Sequence, residues 1–184
     1  MNIVLRCLFR APAYLYRWRC GRLLGHRFLL LAHTGRHSGA RHHTVLEVLA
    51  YRQDGPEFVV MSGFGRAVDW VRNIEATADA EVLSGSDSFT AAHRFLGAEE
   101  AVRVIAAYER GNRLAAPLVR LVLSRLLGWH YDGSDDERRR LVAQLPLVAF
   151  QPRAGDWLPG PIRRDPTGAS RTEADQNPAS GSAR

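Results

Sequence analysis

The chain has 184 residues, 46% of them hydrophobic, which is enough for one domain with a real core. It carries a net charge of +6, and all 25 basic residues are arginine, so every cation is a planar fork suited to phosphate or carboxylate. The longest uncharged run, Leu141 to Pro152, is too short to span a bilayer, and the isolated Cys7 and Cys20 exclude a disulfide framework.

Residues 2–24 alternate arginines with Leu, Phe, Tyr and Trp at roughly helical spacing, with Pro12 to start or kink the helix. An amphipathic helix packed on the domain is expected there, with contact to a membrane surface as the alternative. Arg6 and Arg10 interrupt the short apolar start, so no signal peptide is read and a cytoplasmic protein is expected. "FLLLAHT", Phe28 to Thr34, reads as a buried strand. A Gly-containing turn, "GRHSG", leads to a second strand over Thr44 to Arg52. A third strand follows at Glu57 to Ser62. Ser62 to Gly65 is a loop, and Asp69 is expected to cap a helix over about Trp70 to Ala76. "AEVLSG" and "SFTAAHRFL" form a further hairpin around Gly85-Ser86.

From Ala98 the apolar period becomes 3.6. The first helix opens on Glu99 and Glu100 and ends at Gly111. The second, within Arg113 to Trp129, is apolar on more than one face and is expected to be buried or to cover a pocket. The third follows Ser134 as its cap, and "PLVAFQP" returns as a last strand. From Arg153 onward the chain is rich in Pro, Gly, Ser and charge and reads as a disordered tail. The expected organisation is an N-terminal helix over 1–24, one α+β domain over 25–152 and a tail over 153–184.

The richest stretch is "HTGRHSGARHHTVLEVL", His33 to Leu49, with four histidines and two arginines. It is no metal nest, because His33, His37, His42 and His43 have no carboxylate or thiol at ligand spacing. Nor is it a nucleic-acid edge, since no aromatic residue is interleaved for base stacking. A solvated turn is the plain alternative. A small anion fits better: Gly35, Gly39, Gly63 and Gly65 let backbone approach closely, and Arg36 and Arg41 add forked donors. The helix near Trp70 would point its positive end at the "SGFG" loop.

Four segments, "LLGHRFLLLAHTGRHSGARHHTVLEVL", "VVMSGFGRAVDWVRNI", "LLGWHYDGS" and "LPLVAFQP", together resemble the deazaflavin-dependent nitroreductase and quinone reductase family, which uses the reduced coenzyme F-420. The resemblance covers about residues 12–152. It implies a split β-barrel of about six mainly antiparallel strands, with a helical insert before the last. It also implies that Arg36, His37, Ser38, Gly39, His42, His43 and Thr44 hold the coenzyme's phosphate and oligoglutamate tail. Ser62, Gly63, Phe64 and Gly65 would lie against phosphate and ring, with Trp70 and Asn73 beside them. The chain departs from the family in having histidine at positions 37 and 42, where cations are usual, Val71 after the tryptophan, and Gly63 where some members carry lysine.

The activity implied is hydride transfer from reduced F-420 to a quinone-like or nitroaromatic acceptor. No acid-base dyad or nucleophile is needed, and none is read. Ser62 is the candidate proton donor or acceptor contact. Tyr108, Trp129 and Tyr131, in the helical insert, are candidates to face the acceptor, with core packing as the plain alternative for each. Two other functions stay open: a non-catalytic anion-binding or peripheral membrane protein, and an enzyme that uses flavin mononucleotide (FMN) in place of the deazaflavin.

Overall fold

Six strands close on one another. The computed structural model describes residues 25–53, 55–77, 80–114 and 116–153. In it β1 (Phe28–Thr34), β2 (Arg41–Arg52), β3 (Glu57–Met61), β4 (Ala80–Ser84), β5 (Asp87–Phe95) and β6 (Leu147–Pro152) form a closed barrel in the order β1-β2-β3-β6-β5-β4. Every pairing is antiparallel. Closure leaves no unpaired strand edge. Helix α1 (Asp69–Ala76) joins β3 to β4, and α2 (Ala98–Gly111), α3 (Ala116–Leu127) and α4 (Asp135–Gln144) lie between β5 and β6. This is the α+β split barrel with a helical insert that the sequence implies. The expected N-terminal helix and the expected tail beyond Arg153 lie outside the described residues.

Alternation decides what fills the barrel. Leu29 and Leu31 of β1, Phe58 and Val60 of β3, Val82 of β4, Phe89 and Ala91 of β5, and Val148 and Phe150 of β6 share one buried cluster. Trp70, Val71 and Ile74 of α1 join it, so this short helix plugs the barrel. β3 and β6 are apolar on both faces because their outer faces are covered too. Val59, Leu147 and Ala149 pack outward against Val102 and Ile105 of α2 and Leu141 and Leu145 at α4. Two cores therefore share two strands.

The charged seam is as specific as the apolar one. Glu57 is buried and accepts a hydrogen bond from Arg94 Nη2 at 2.9 Å, while the same guanidinium meets Glu100 at 2.8 Å. Both carboxylates hold the Arg94 pKa above its ordinary value, Glu100 first, and the Glu100 carboxyl is lowered in return. This clamp fastens β3, β5 and the start of α2.

Three sequence expectations change. β2 begins at Arg41, three residues earlier than read, because His42 and His43 pair with His33 and Ala32 across the ladder. Asp69 is not the cap of α1: the cap position is Val68, with no side-chain bond, and Asp69 is the first helical residue, its carboxylate turned to Arg36. Helix α3 is not buried on several faces. Only Leu123 is buried and Leu118 and Leu121 are exposed, since among the described residues one side of this helix meets the domain, where Ala116, Pro117 and Arg120 line a second cavity. Ser134 does cap α4, accepting from the Glu137 N–H.

Burial predicts opposite outcomes for two truncations. Phe58→Ala, at a fully buried ring, should cost about 3–5 kcal/mol of unfolding free energy. Leu118→Ala should cost no more than about 0.5 kcal/mol. Urea denaturation of both variants checks this, and a large loss at Leu118 would show that α3 is covered.

Candidate functional site

Antiparallel order brings the end of β1, the start of β2 and the end of β3 to one end of the barrel. There a cavity of about 370 Å³ opens between the Gly35–Ala40 turn, the first residues of β2 and the start of α1. Its walls are His33, Gly35, Arg36, His37, Ser38, His42, His43, Thr44, Asp69, Trp70 and Asn73.

The turn is built tightly. Gly35 donates to Ala40 O and Gly39 to Gly35 O, each at 2.8 Å, and Ser38 Oγ accepts from Ala40 N. Gly39 has φ +65°, which disfavours any side chain. At Gly35 a Cβ would come within 2.7 Å of Ser38 Oγ and 2.9 Å of His42 Nε2, so a side chain there would displace both cavity groups. The Gly35 and Gly39 N–H groups are thus consumed by the turn and do not face an anion, contrary to expectation. The donors that line the cavity are mostly side chains.

Asn73, buried at the foot of the cavity, orders them. Its Oδ1 accepts from the Arg36 backbone N–H at 3.1 Å and from Arg36 Nη1 at 3.0 Å. Arg36 Nη1 also meets Asp69 Oδ1 at 3.0 Å. With Oδ1 so occupied, Asn73 Nδ2 faces His33 Nδ1 at 3.1 Å and must donate to its lone pair. The imidazole proton then sits on Nε2, which is 3.3 Å from Thr44 Oγ1. His33 is held neutral, and burial first, then His42 and His43, pushes its pKa below 6.5.

The second loop lies at the same barrel end but does not line the cavity. Ser62 is fully buried; its Oγ donates to Gly65 O at 2.5 Å, and its N–H donates to Pro146 O. Gly65 has φ +79° and sits so near the Gln144 carbonyl that a Cβ would come within 3.3 Å of it. The loop is therefore a closed turn pinned to α4 and β6. Ser62, read from the sequence as a proton donor or acceptor contact, has its hydroxyl engaged in fastening that turn. Gly63 faces open space, and Phe64 is half exposed.

The three aromatic candidates separate. Tyr108 reaches from α2 across β2, its hydroxyl donating to Glu47 Oε1 at 2.7 Å, and burial with that carboxylate raises its pKa. Trp129 is partly exposed, with Arg140 4.4 Å above its ring and its Nε1 3.4 Å from Gln144 Oε1. Gln144 thus joins the Trp129 indole to the Gly65 turn. Tyr131 is 1% exposed and donates to buried Glu109, so it packs the insert's core and cannot face an acceptor.

Sequence reasoning missed His33 and Asp69 as cavity residues. His33 carried a signal: it continues the Leu29, Leu31 face of β1 and so had to be a buried polar group. Asp69 was masked by its other plausible role as a cap. Among the described residues no group of three or more His, Cys, Asp or Glu converges as a metal site, and no helix is long and apolar enough to cross a membrane.

Comparison with known proteins gives one family. The model of the F-420H(2)-dependent quinone reductase family matches residues 10–112. No curated protein matches the chain. Among solved structures, an F-420-H(2) dependent reductase (FDR-A) aligns at 15% identity and TM-score 0.46, over 70% of this chain and 96% of that one. A protein described as a domain-swapped dimer aligns at 14% identity and TM-score 0.46, over 76% and 99%. An FMN-binding protein related to pyridoxamine 5'-phosphate oxidase, from Nostoc punctiforme, aligns at 15% and 0.42, over 78% and 80%.

The tautomer assigned to His33 has a measurable consequence. Its folded pKa lies below the 6.5 of a free imidazole, so between the two values the unfolded chain binds more protons. The stability this contributes is present above pH 6.5 and is lost as pH falls through the folded value. A pH titration of the His33 ring signals by NMR should give a midpoint below 6.5. A midpoint above 6.5 would show that the imidazole is charged in the cavity and that Asn73 is oriented the other way.

Proposed function

This chain belongs to the F-420H(2)-dependent quinone reductase family, and we propose that the cavity at Arg36 receives the phosphate and acidic tail of the reduced coenzyme. The observation that carries the reading is the donor set: one guanidinium, four imidazoles, two hydroxyls and an amide around a single carboxylate, Asp69. That chemistry suits a phosphate-bearing, carboxylate-rich ligand. About 370 Å³ accommodates such an end and not a whole coenzyme with its tricyclic ring. The ring would extend out of the cavity toward the Ser62–Gly65 turn. In the same proposal, residues 25–152 are the coenzyme-binding unit, flanked by 1–24 and 153–184.

Family membership makes the chain an oxidoreductase, and the coenzyme supplies the hydride when bound. The protein's part is to bind, orient and exclude water. Arg36, His37, Ser38, His42, His43 and Thr44 are proposed to hold the anionic end. Asn73 positions Arg36 and lies beneath it. The acceptor, a quinone or by extension a nitroaromatic ring, is proposed to lie against Trp129, Phe64 and Tyr108. A quinone that takes a hydride needs one proton to become the quinol. Ser62 is enclosed and Tyr108 is both tied to Glu47 and raised in pKa, so that proton is assigned to water.

Purified protein should oxidise reduced F-420 when menadione is added and should ignore NADPH. Binding of FMN in place of the deazaflavin, with no deazaflavin turnover, would refute the assignment. Arg36→Ala should raise the coenzyme Kd by a factor equivalent to roughly 1.5–3 kcal/mol, with turnover at saturation little changed. An unchanged Kd removes Arg36 from the contact.

His37 and His42 stand where relatives carry permanent cations. A permanent cation at position 42 would add a forked donor for the anion, so His42→Arg should tighten coenzyme binding. Calorimetric titration reads this, and an unchanged Kd would remove residue 42 from the contact.

A further inference from the structure

Far from this site in chemistry, α3 presents a surface that the coenzyme reading leaves unused. Leu118 and Leu121 project on the side opposite buried Leu123 and are 63% and 56% exposed, and Leu114, just ahead of the helix, is fully exposed. Spacings of three and four place Leu118, Leu121 and Arg125 along one stripe of the helix. Three exposed leucines lie close together in sequence here.

What flanks them is cationic. Arg110, Arg113 and Arg120 line a cavity of about 330 Å³ between the end of α2 and α3. Among the described residues, no carboxylate pairs with any of the three. Glu109 also lines it but is already engaged by Arg138 Nη2 at 2.6 Å and by the Tyr131 hydroxyl at 2.7 Å. Arg120 is held at the mouth against Gly133, where a Cβ would come within 3.1 Å of its Nη2. From Arg110 to Tyr131 the chain contains no Asp or Glu. Nothing in that stretch repels an anion.

We propose that α3 and the arginine cavity beside it form a docking surface for an anionic lipid bilayer. Headgroup phosphates would enter between Arg110, Arg113 and Arg120, and Leu114, Leu118 and Leu121 would reach the acyl boundary. The complementarity is double: forked cations match phosphate oxygens, and the adjacent stripe matches hydrocarbon. A second copy of this chain would bring the same unpaired arginines against one another, which disfavours self-association through this face. The proposal is independent of the coenzyme assignment, since none of these residues borders the Arg36 cavity.

The test uses the full chain and vesicles of phosphatidylcholine, with or without an equal part of phosphatidylglycerol, in a sedimentation assay. Wild type should pellet with the anionic vesicles, weakly with the neutral ones, and should be released as salt rises from about 0.05 M to about 0.5 M. Arg113→Gln with Arg120→Gln should weaken partitioning roughly thirty-fold, two basic contacts being lost. Leu118→Ser with Leu121→Ser should weaken it by about tenfold or more. Both pairs are exposed, and an unchanged Tm confirms that each variant is folded. Absence of wild-type binding overturns the proposal. So does binding unchanged in both variants, which places the lipid contact on another segment such as residues 1–24. So does loss of a dimer in sedimentation velocity on changing the leucines, with vesicle binding intact.

Discussion

The side-chain amide of Asn73 can point only one way. Its oxygen is claimed by two N–H groups of Arg36, and this leaves its nitrogen for His33. One buried residue therefore fixes the position of the cationic turn, the aim of its guanidinium and the tautomer of an imidazole on a different strand. Reversing the amide would set NH2 against two arginine donors, even though the imidazole could meet the reversed oxygen by carrying its proton on Nδ1. Each mismatch in a buried place costs on the order of 1–3 kcal/mol. The cavity keeps its shape because that alternative is closed.

This control depends on α1 being rigid, and the barrel supplies the rigidity. Trp70, Val71 and Ile74 are locked among strand residues on the inside, so Asn73, on the same short helix, cannot drift. The outer core performs a similar service for the second loop. Gln144, at the end of α4, meets Gly65 through its carbonyl and Trp129 through its side chain. The insert thus carries an aromatic wall and also sets the turn beside it. Both loops at this end of the barrel are anchored by elements distant in sequence, which is how a site on connecting segments becomes ordered.

Much of this was legible before any coordinates. Strands β1, β3 and β6 showed as short apolar runs, and the hairpin at Gly85-Ser86 and the cap at Ser134 carried local signals that no packing overrode. The cationic turn was legible as a turn. What did not show was which atoms were already spent. The Gly35 and Gly39 N–H groups, the Ser62 hydroxyl and the Tyr131 hydroxyl all looked available because their partners lie elsewhere in the fold. The extent of β2 was misread because His42 and His43 looked like loop residues until their ladder partners in β1 were known. Helix α3 misled differently: its composition is that of a buried helix, and composition cannot say that the domain contacts it on one side only.

The electrostatics of the cavity follow from the same competition for partners. Arg36 already faces a carboxylate, and Asp69 is 85% exposed on its side-chain surface, so that pair is loosely held and open to exchange. Under the proposed reading, an incoming anion would meet a guanidinium whose direction is set by Asn73 and whose counter-ion can move aside into water. It gains little from neutralising a bare charge, because none is bare. It gains from finding the donor already oriented, which spares the entropy of ordering an arginine side chain on binding. Neutral His33 fits this arrangement, since a second fixed cation beside Arg36 would weaken its hold on Asn73. His37, His42 and His43 lie exposed at the rim, and the pair of Asn73 and His33 lies buried beneath them.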